Sequence, residues 1–317
     1  MTRWNKALLQ ASMFILPLGC SRSYADETTQ KQASALLLQR YETVVSARSK
    51  VLSRLHFDHP EQDLGRKHLG LPFIYLMGGL KAVGPNTLAA VEGASDTVLT
   101  GAKDFVRPEG LGMVSARTCT IATLAPGAAQ ALAPEFSKVK VESLDGRPVW
   151  TWSIPPSEGY KTATNFYAAI VTNSFFMLAN NEQDFRETAN ALANGKVQGS
   201  LPGSPDFTSL RTHPYWAYRT IQRNEGTDAL ASGLSRLPVS AVALELFTEF
   251  DDGSLFLNVL VPNNPSGSPP AGLPSSELIH FQRARAGVWQ AVISLTTNQT
   301  AAAIFQVLSC FGYGVSL

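Results

Sequence analysis

Residues 139–154 read VKVESLDGRPVWTWSI, two alternating runs meeting at Asp145-Gly146. Alternation of apolar and polar residues is the period of a half-buried strand. An Asp-Gly pair between two such runs suits the positive φ angles of a two-residue hairpin turn. This segment therefore predicts an antiparallel hairpin. The same grammar recurs on both sides of it. Gly112 to Leu124 reads as a strand, Ala128 to Phe136 as a short helix, and Phe166 to Leu178 as a second hairpin turning at Thr172-Asn173-Ser174. Glu182 to about Ala193 begins with acidic residues, as a helix N-terminus favours, and Asn194-Gly195 closes it.

Beyond a Gly/Pro/Ser stretch at 199–205, the element order partly repeats. A strand is expected at Tyr215 to Gln222, a short helix near Ala229, and a hairpin from Val239 to Val261 about Asp252-Gly253. A strand from Val288 to Leu295 and a helix near Gln299 to Leu308 follow. The agreement is in order rather than in residues, so an internal repeat is a hypothesis. Pro262 to Pro274 holds five prolines and two glycines, too many for a sheet, and reads as an exposed connection. Before the hairpins, Leu38, Tyr41, Val45, Leu52 and Leu55 fall at helical spacings, which predicts one helix over 32–55, and residues 69–92 suggest short helices.

The N-terminus carries an address. Arg3 and Lys6 precede the uncharged run Ala7 to Leu18, and Ser23-Tyr24-Ala25 follows, the pattern of an export signal cleaved after Ala25. A competing reading takes Leu18-Gly19-Cys20 as a lipoprotein box, with Pro17 where leucine is usual, and makes Cys20 a lipidation candidate. These two readings, and a third in which the run stays as an uncleaved anchor, all place the body outside the cytoplasm, in the periplasm or cell envelope. The chain of 317 residues is 44% hydrophobic and carries 26 basic against 25 acidic side chains, enough for ordinary cores and without the charge bias of a nucleic-acid partner. A membrane is expected to be met only through the lipid anchor at Cys20. Of three cysteines, Cys119 and Cys310 remain in the body; both are expected to be unpaired thiols in apolar surroundings.

Chemistry-bearing patterns are sparse. Arg54-Leu55-His56-Phe57-Asp58-His59 resembles the H-x-H-x-D-H metal-binding motif of the metallo-β-lactamase superfamily, with Arg54 in place of the first histidine. The resemblance implies zinc at His56, Asp58 and His59 and a metal-activated water. The other reading of the two histidines is that they end a helix, meeting the negative end of its dipole. Glu245 and Glu249 share strand parity, as a carboxylate pair or as a solvated strand face would. Trp150 and Trp152 share parity too, and neighbouring Ile154 favours a core face over a sugar platform. Tyr215, Trp216 and Tyr218 are ambiguous in the same way. No G-x-S-x-G, no G-x-x-x-x-G-K and no strand-linked G-x-G-x-x-G occurs, so no cofactor is expected.

The expected fold is α+β: an N-terminal helical segment, then a mainly antiparallel sheet of hairpins with helices packed on one face, in two similar halves. The expected divisions are a signal at 1–25, a helical segment at 26–95, one half at 96–198 and a second at 199–317. The expected role is that of an exported, non-catalytic protein binding an envelope protein or small ligand. The alternative is a metal-dependent hydrolase using His56, Asp58 and His59.

Overall fold

A computed structural model describes residues 27–49, 78–106, 115–156, 163–195, 213, 215–220, 243–249, 254–260 and 280–294. The fold is α+β, built on a large antiparallel sheet. In chain order the elements are α1 (Glu27–Arg40), β1 (Thr43–Arg48), α2 (Thr87–Ala94), β2 (Ser95–Val106) and β3 (Ser115–Leu124). Next come α3 (Ala128–Leu132) with a 3-10 turn (Ala133–Phe136), β4 (Lys140–Leu144), β5 (Arg147–Ile154), β6 (Thr164–Val171), β7 (Phe175–Ala179) and α4 (Glu182–Ala193). The chain continues through β8 (Tyr215–Thr220), β9 (Ala243–Glu249), β10 (Ser254–Leu260), β11 (Phe281–Arg285) and β12 (Val288–Ser294). Among the described residues these strands form one 12-stranded sheet in the order β11-β12-β10-β9-β8-β1-β2-β3-β7-β6-β5-β4.

The hairpin at Asp145-Gly146 forms as expected. Leu144 pairs with Arg147, and Asp145 and Gly146 hold φ of 54° and 75°, the two positive angles of a type I′ turn. Thr172 and Asn173 likewise sit at φ 53° and 57° between β6 and β7. Strands β9 and β10 pair from Ala243↔Leu260 to Glu249↔Ser254, the antiparallel hairpin expected there; Asp252-Gly253 themselves lie outside the described residues, as do the elements expected near Ala229 and at 299–308.

The single helix expected over 32–55 is corrected. Helix α1 ends at Arg40, and Thr43–Arg48 is strand β1, paired with both β2 and β8. The helical spacing of Leu38, Tyr41 and Val45 misled because a strand buried on both faces has no polar side to break it. Val44, Val45, Ser46 and Ala47 are all buried, and the β-branched Thr43-Val44-Val45 was the local sign of a strand. β1 thus joins the strands on either side of it into one sheet. Strand β11, with its turn at Ala286-Gly287, was also not anticipated.

Cross-strand partners share a face, so the register defines two layers. Val44, Gly101, Cys119 and Ala179 lie opposite one another in successive strands, as do Ser46, Leu99, Ile121 and Met177. This face packs on the two long helices: Leu36 and Leu37 of α1, and Phe185, Ala189 and Leu192 of α4, belong to its core. On the opposite face, Phe136 of the 3-10 turn stacks on Trp150 at 4.5 Å and meets Phe176 at 5.6 Å. The short helices α2 and α3 adjoin that turn, so the one-face arrangement holds for the long helices while short ones close the other side.

Gly101 is required by close approach. A Cβ there would lie 2.5 Å from Cγ of the Tyr41 ring, inside van der Waals contact, because Tyr41, the residue after α1, packs directly against β2. We expect Gly101→Ala to destabilise the protein by about 2 kcal/mol or more in urea unfolding, as overpacking of a tight core does. Combining it with Tyr41→Ala should recover part of that loss. A loss below about 0.5 kcal/mol would show that ring and strand do not meet.

Candidate functional site

Helix α4 starts where its sequence says it should. Asn181 at the N-cap is extended (φ −139°, ψ 128°), and its side-chain oxygen accepts from the Asp184 backbone N–H at 3.1 Å. This cap fixes the first turn and aims Asp184 inward, with only 1% of its side chain exposed. A buried carboxylate is costly unless its oxygens are bonded and its charge is met. Both conditions hold. Lys103 Nζ donates to Oδ1 at 2.8 Å and Arg117 Nε donates to Oδ2 at 2.9 Å.

The two cations come from adjacent strands at directly opposed register positions, Lys103 on β2 and Arg117 on β3. The rest of the guanidinium is also engaged. One terminal nitrogen of Arg117 donates to Asn181 Oδ1 at 3.0 Å, and the other to Asp104 Oδ2 at 3.3 Å. Asp104 reaches it from a left-handed position (φ 52°) at an irregularity in the β2–β3 ladder. Just before the helix, Asn180 continues the sheet: its Oδ1 accepts from Thr118 N at 2.7 Å and its Nδ2 donates to Ala116 O at 2.8 Å.

Tyr41 extends the cluster into the core. Lys103 Nζ stands 5.0 Å from the centre of its ring, a cation–π contact. Its hydroxyl sits near the Cys119 thiol and the Thr188 hydroxyl, one turn beyond Asp184 on α4, and the oxygens of Tyr41 and Thr188 are buried without a well-formed hydrogen bond. Burial pushes the Cys119 thiol up to about 12 and raises the Tyr41 hydroxyl well above its ordinary value, with the neighbouring thiol adding to the latter shift. Neither group is a nucleophile or base near neutral pH.

The outer side of α4 is tied down as well. Glu187 pairs with Arg40 at the end of α1, a contact that lowers its carboxyl below the usual range. Arg186 bonds Glu182 at 2.8 Å and Asp145 of the β4–β5 turn at 2.5 Å, while Asn190 donates to the other Asp145 oxygen at 3.2 Å. Gln32 of α1 caps the far end by donating to Leu192 O at 3.0 Å. One helix is thus fastened to α1, to the β2–β3 pair and to the β4–β5 turn.

The candidates from sequence fall elsewhere. His56, Asp58 and His59, and the lipidation candidate Cys20, lie outside the described residues, as does Cys310. Glu245 and Glu249 are on β9, opposite Asn258 and Ser254 of β10, two positions on one face as their spacing requires. Trp150 and Trp152 belong to the aromatic layer with Phe136 and Phe166; Trp152 stacks on Phe166 at 5.6 Å and donates its indole N–H to Gly79 O at 3.0 Å. Trp216 and Tyr218 are buried in the core beneath α1 and α4. Cys119 is a free, buried thiol. Among the described residues no helix is long and apolar enough to cross a membrane, and no group of three or more histidine, cysteine or acidic side chains is placed to hold a metal ion. The acidic start of α4 is legible in the sequence; Lys103 and Arg117 as the partners of Asp184 are not.

No protein-family model and no curated protein matches this sequence. Among solved structures, crystal form I of TP0453 is similar with a TM-score of 0.45 and 12% identity, covering 86% of this chain and 96% of that one. Crystal form III gives 0.45 and 11%, covering 86% and 97%, and crystal form IV gives 0.42 and 12%, covering 85% and 95%. Likeness at this level assigns no function.

The buried thiol and phenol generate a pH prediction. Both groups stay protonated in the folded chain beyond the pH at which they ionise when unfolded, so the unfolded state binds fewer protons and stability falls as pH rises. Unfolding free energy should drop from about pH 9 upward, at up to about 1.4 kcal/mol per pH unit for each group. Cys119→Ala should flatten the part of that slope between about pH 9 and 12. Urea titrations at stepped pH measure it, and a variant slope equal to the parent's would contradict the burial of an ionisable thiol.

Proposed function

We propose that this chain is an exported cell-envelope protein that works by binding, to an envelope protein or a small ligand, and not by catalysis. The observation that carries this reading is the saturation of the Asp184 cluster. Its carboxylate oxygens are taken by Lys103 and Arg117, and the remaining Arg117 nitrogens by Asn181 and Asp104. A catalytic set needs a group poised to exchange a proton or attack a substrate, with a tuned pKa and an open side. Here the buried charges meet one another, and the nearby thiol and phenol are held protonated. Such a cluster locks a helix onto a sheet.

Export rests on the sequence alone: the basic start, the uncharged run Ala7 to Leu18 and the small residues around Tyr24. Two measurements test the proposal. A reporter fused after residue 30 should be active outside the cytoplasm, whereas activity confined to the cytoplasm would overturn the localisation. The purified protein should hold no stoichiometric zinc; zinc that disappears in His59→Ala would replace the binding role with the hydrolase reading.

A further inference from the structure

Among the described residues, β4 (Lys140–Leu144) forms one end of the sheet and carries the most exposed of the large apolar side chains, Val141, at 58%. The backbone geometry of this edge follows from its turn. Leu144 and Arg147 flank the two-residue Asp145-Gly146 loop and so form a hydrogen-bonded pair, and pair types alternate from there. Ser143 and Pro148 are then a non-hydrogen-bonded pair, as the missing N–H of Pro148 demands, and Val141 and Trp150 are another. The N–H and C=O of Val141 and Ser143 therefore point away from β5, out of the sheet.

We propose that β4 is a self-association edge, pairing antiparallel with β4 of a second copy about a two-fold axis through Val141. In that register the two Val141 residues exchange both outward hydrogen bonds and bury their exposed side chains against each other. Lys140 of each copy then stands directly opposite Glu142 of the other. These side chains share a face, are 72% and 36% exposed, and already form an ion pair along their own strand at 2.5 Å. Pairing completes a four-charge array of alternating sign across the axis. The other outward residue, Ser143, is a poor centre: it would set Glu142 against Leu144 and Val141 against Asp145 of the turn. The opposite end of the sheet, β11, carries Arg283 and Arg285 and has no acid to answer them in a two-fold pairing. The symmetry is isologous, so association closes at a dimer. The short strand makes the contact small and the dimer concentration-dependent.

Sedimentation velocity on the exported, purified protein, from about 5 µM to about 1 mM, tests this. The unmodified protein should shift from monomer to dimer across the range. Glu142→Lys sets like charges across the axis, and Val141→Pro removes the outward N–H while leaving the β4–β5 ladder intact; each should weaken the dimer at least about tenfold. The exchange Lys140→Glu with Glu142→Lys should restore association to within about threefold of the parent, with native far-UV circular dichroism. Monomer throughout, association indifferent to Glu142→Lys or Val141→Pro, or failure of the folded exchange variant to recover would overturn the proposal.

Discussion

Two cations stand directly opposite each other on neighbouring central strands, Lys103 on β2 and Arg117 on β3. Like charges in that position destabilise a sheet. The fold meets the constraint with one carboxylate, Asp184, delivered between them by the first turn of α4 and almost fully buried. Each component requires the others. Without the carboxylate the strands repel, and without the cations the carboxylate is an uncompensated charge in the core. The N-cap Asn181 serves both sides at once, holding the first turn through the Asp184 N–H and the guanidinium through the same oxygen.

From this point the packing of the long-helix face follows. Once Asp184 is fixed, the helical repeat brings Thr188 toward Tyr41 and Cys119 and lines up Phe185, Ala189 and Leu192 over the sheet. The Tyr41 ring, pressed onto Gly101 and lying under Lys103, couples the exit of α1 to the same cluster. The outer contacts of α4 with Arg40 and Asp145 are more exposed and contribute less. A helix locked at its buried end and tethered at its surface makes a stiff frame.

Much of this architecture was legible in the sequence because its hairpins are local. Asp145-Gly146 and the runs beside it specify their own partners, and the acidic start Glu182 to Asp184 announces a helix. The missed elements depend on distant contacts. β1 is buried on both faces and sits between β2 and β8, far away in sequence, so its apolar spacing could be taken for a helix. β11 follows a proline-rich connection and carries exposed Gln282 and Arg283, without the alternation of a half-buried strand. The Asp184 cluster had no motif to find. Lys103, Arg117 and Asp184 are ordinary surface residue types, and only the pairing of β2 with β3 and the placement of α4 make them one site. The pair of tryptophans shares a face, as its spacing requires, and lies half-buried in the aromatic layer with Phe136 and Phe166.

Asp184 and its two cations form one interdependent unit, and a double-mutant cycle in urea at neutral pH measures that coupling directly. Asp184→Ala should cost about 3–5 kcal/mol, because it strands two partly buried cations opposite each other. Arg117→Ala should also be destabilising in the parent. In the Asp184→Ala background the same substitution should cost far less, or stabilise, giving a coupling of about 2 kcal/mol or more. Losses that simply add, within about 0.5 kcal/mol, would contradict the account and reduce the cluster to separate surface pairs.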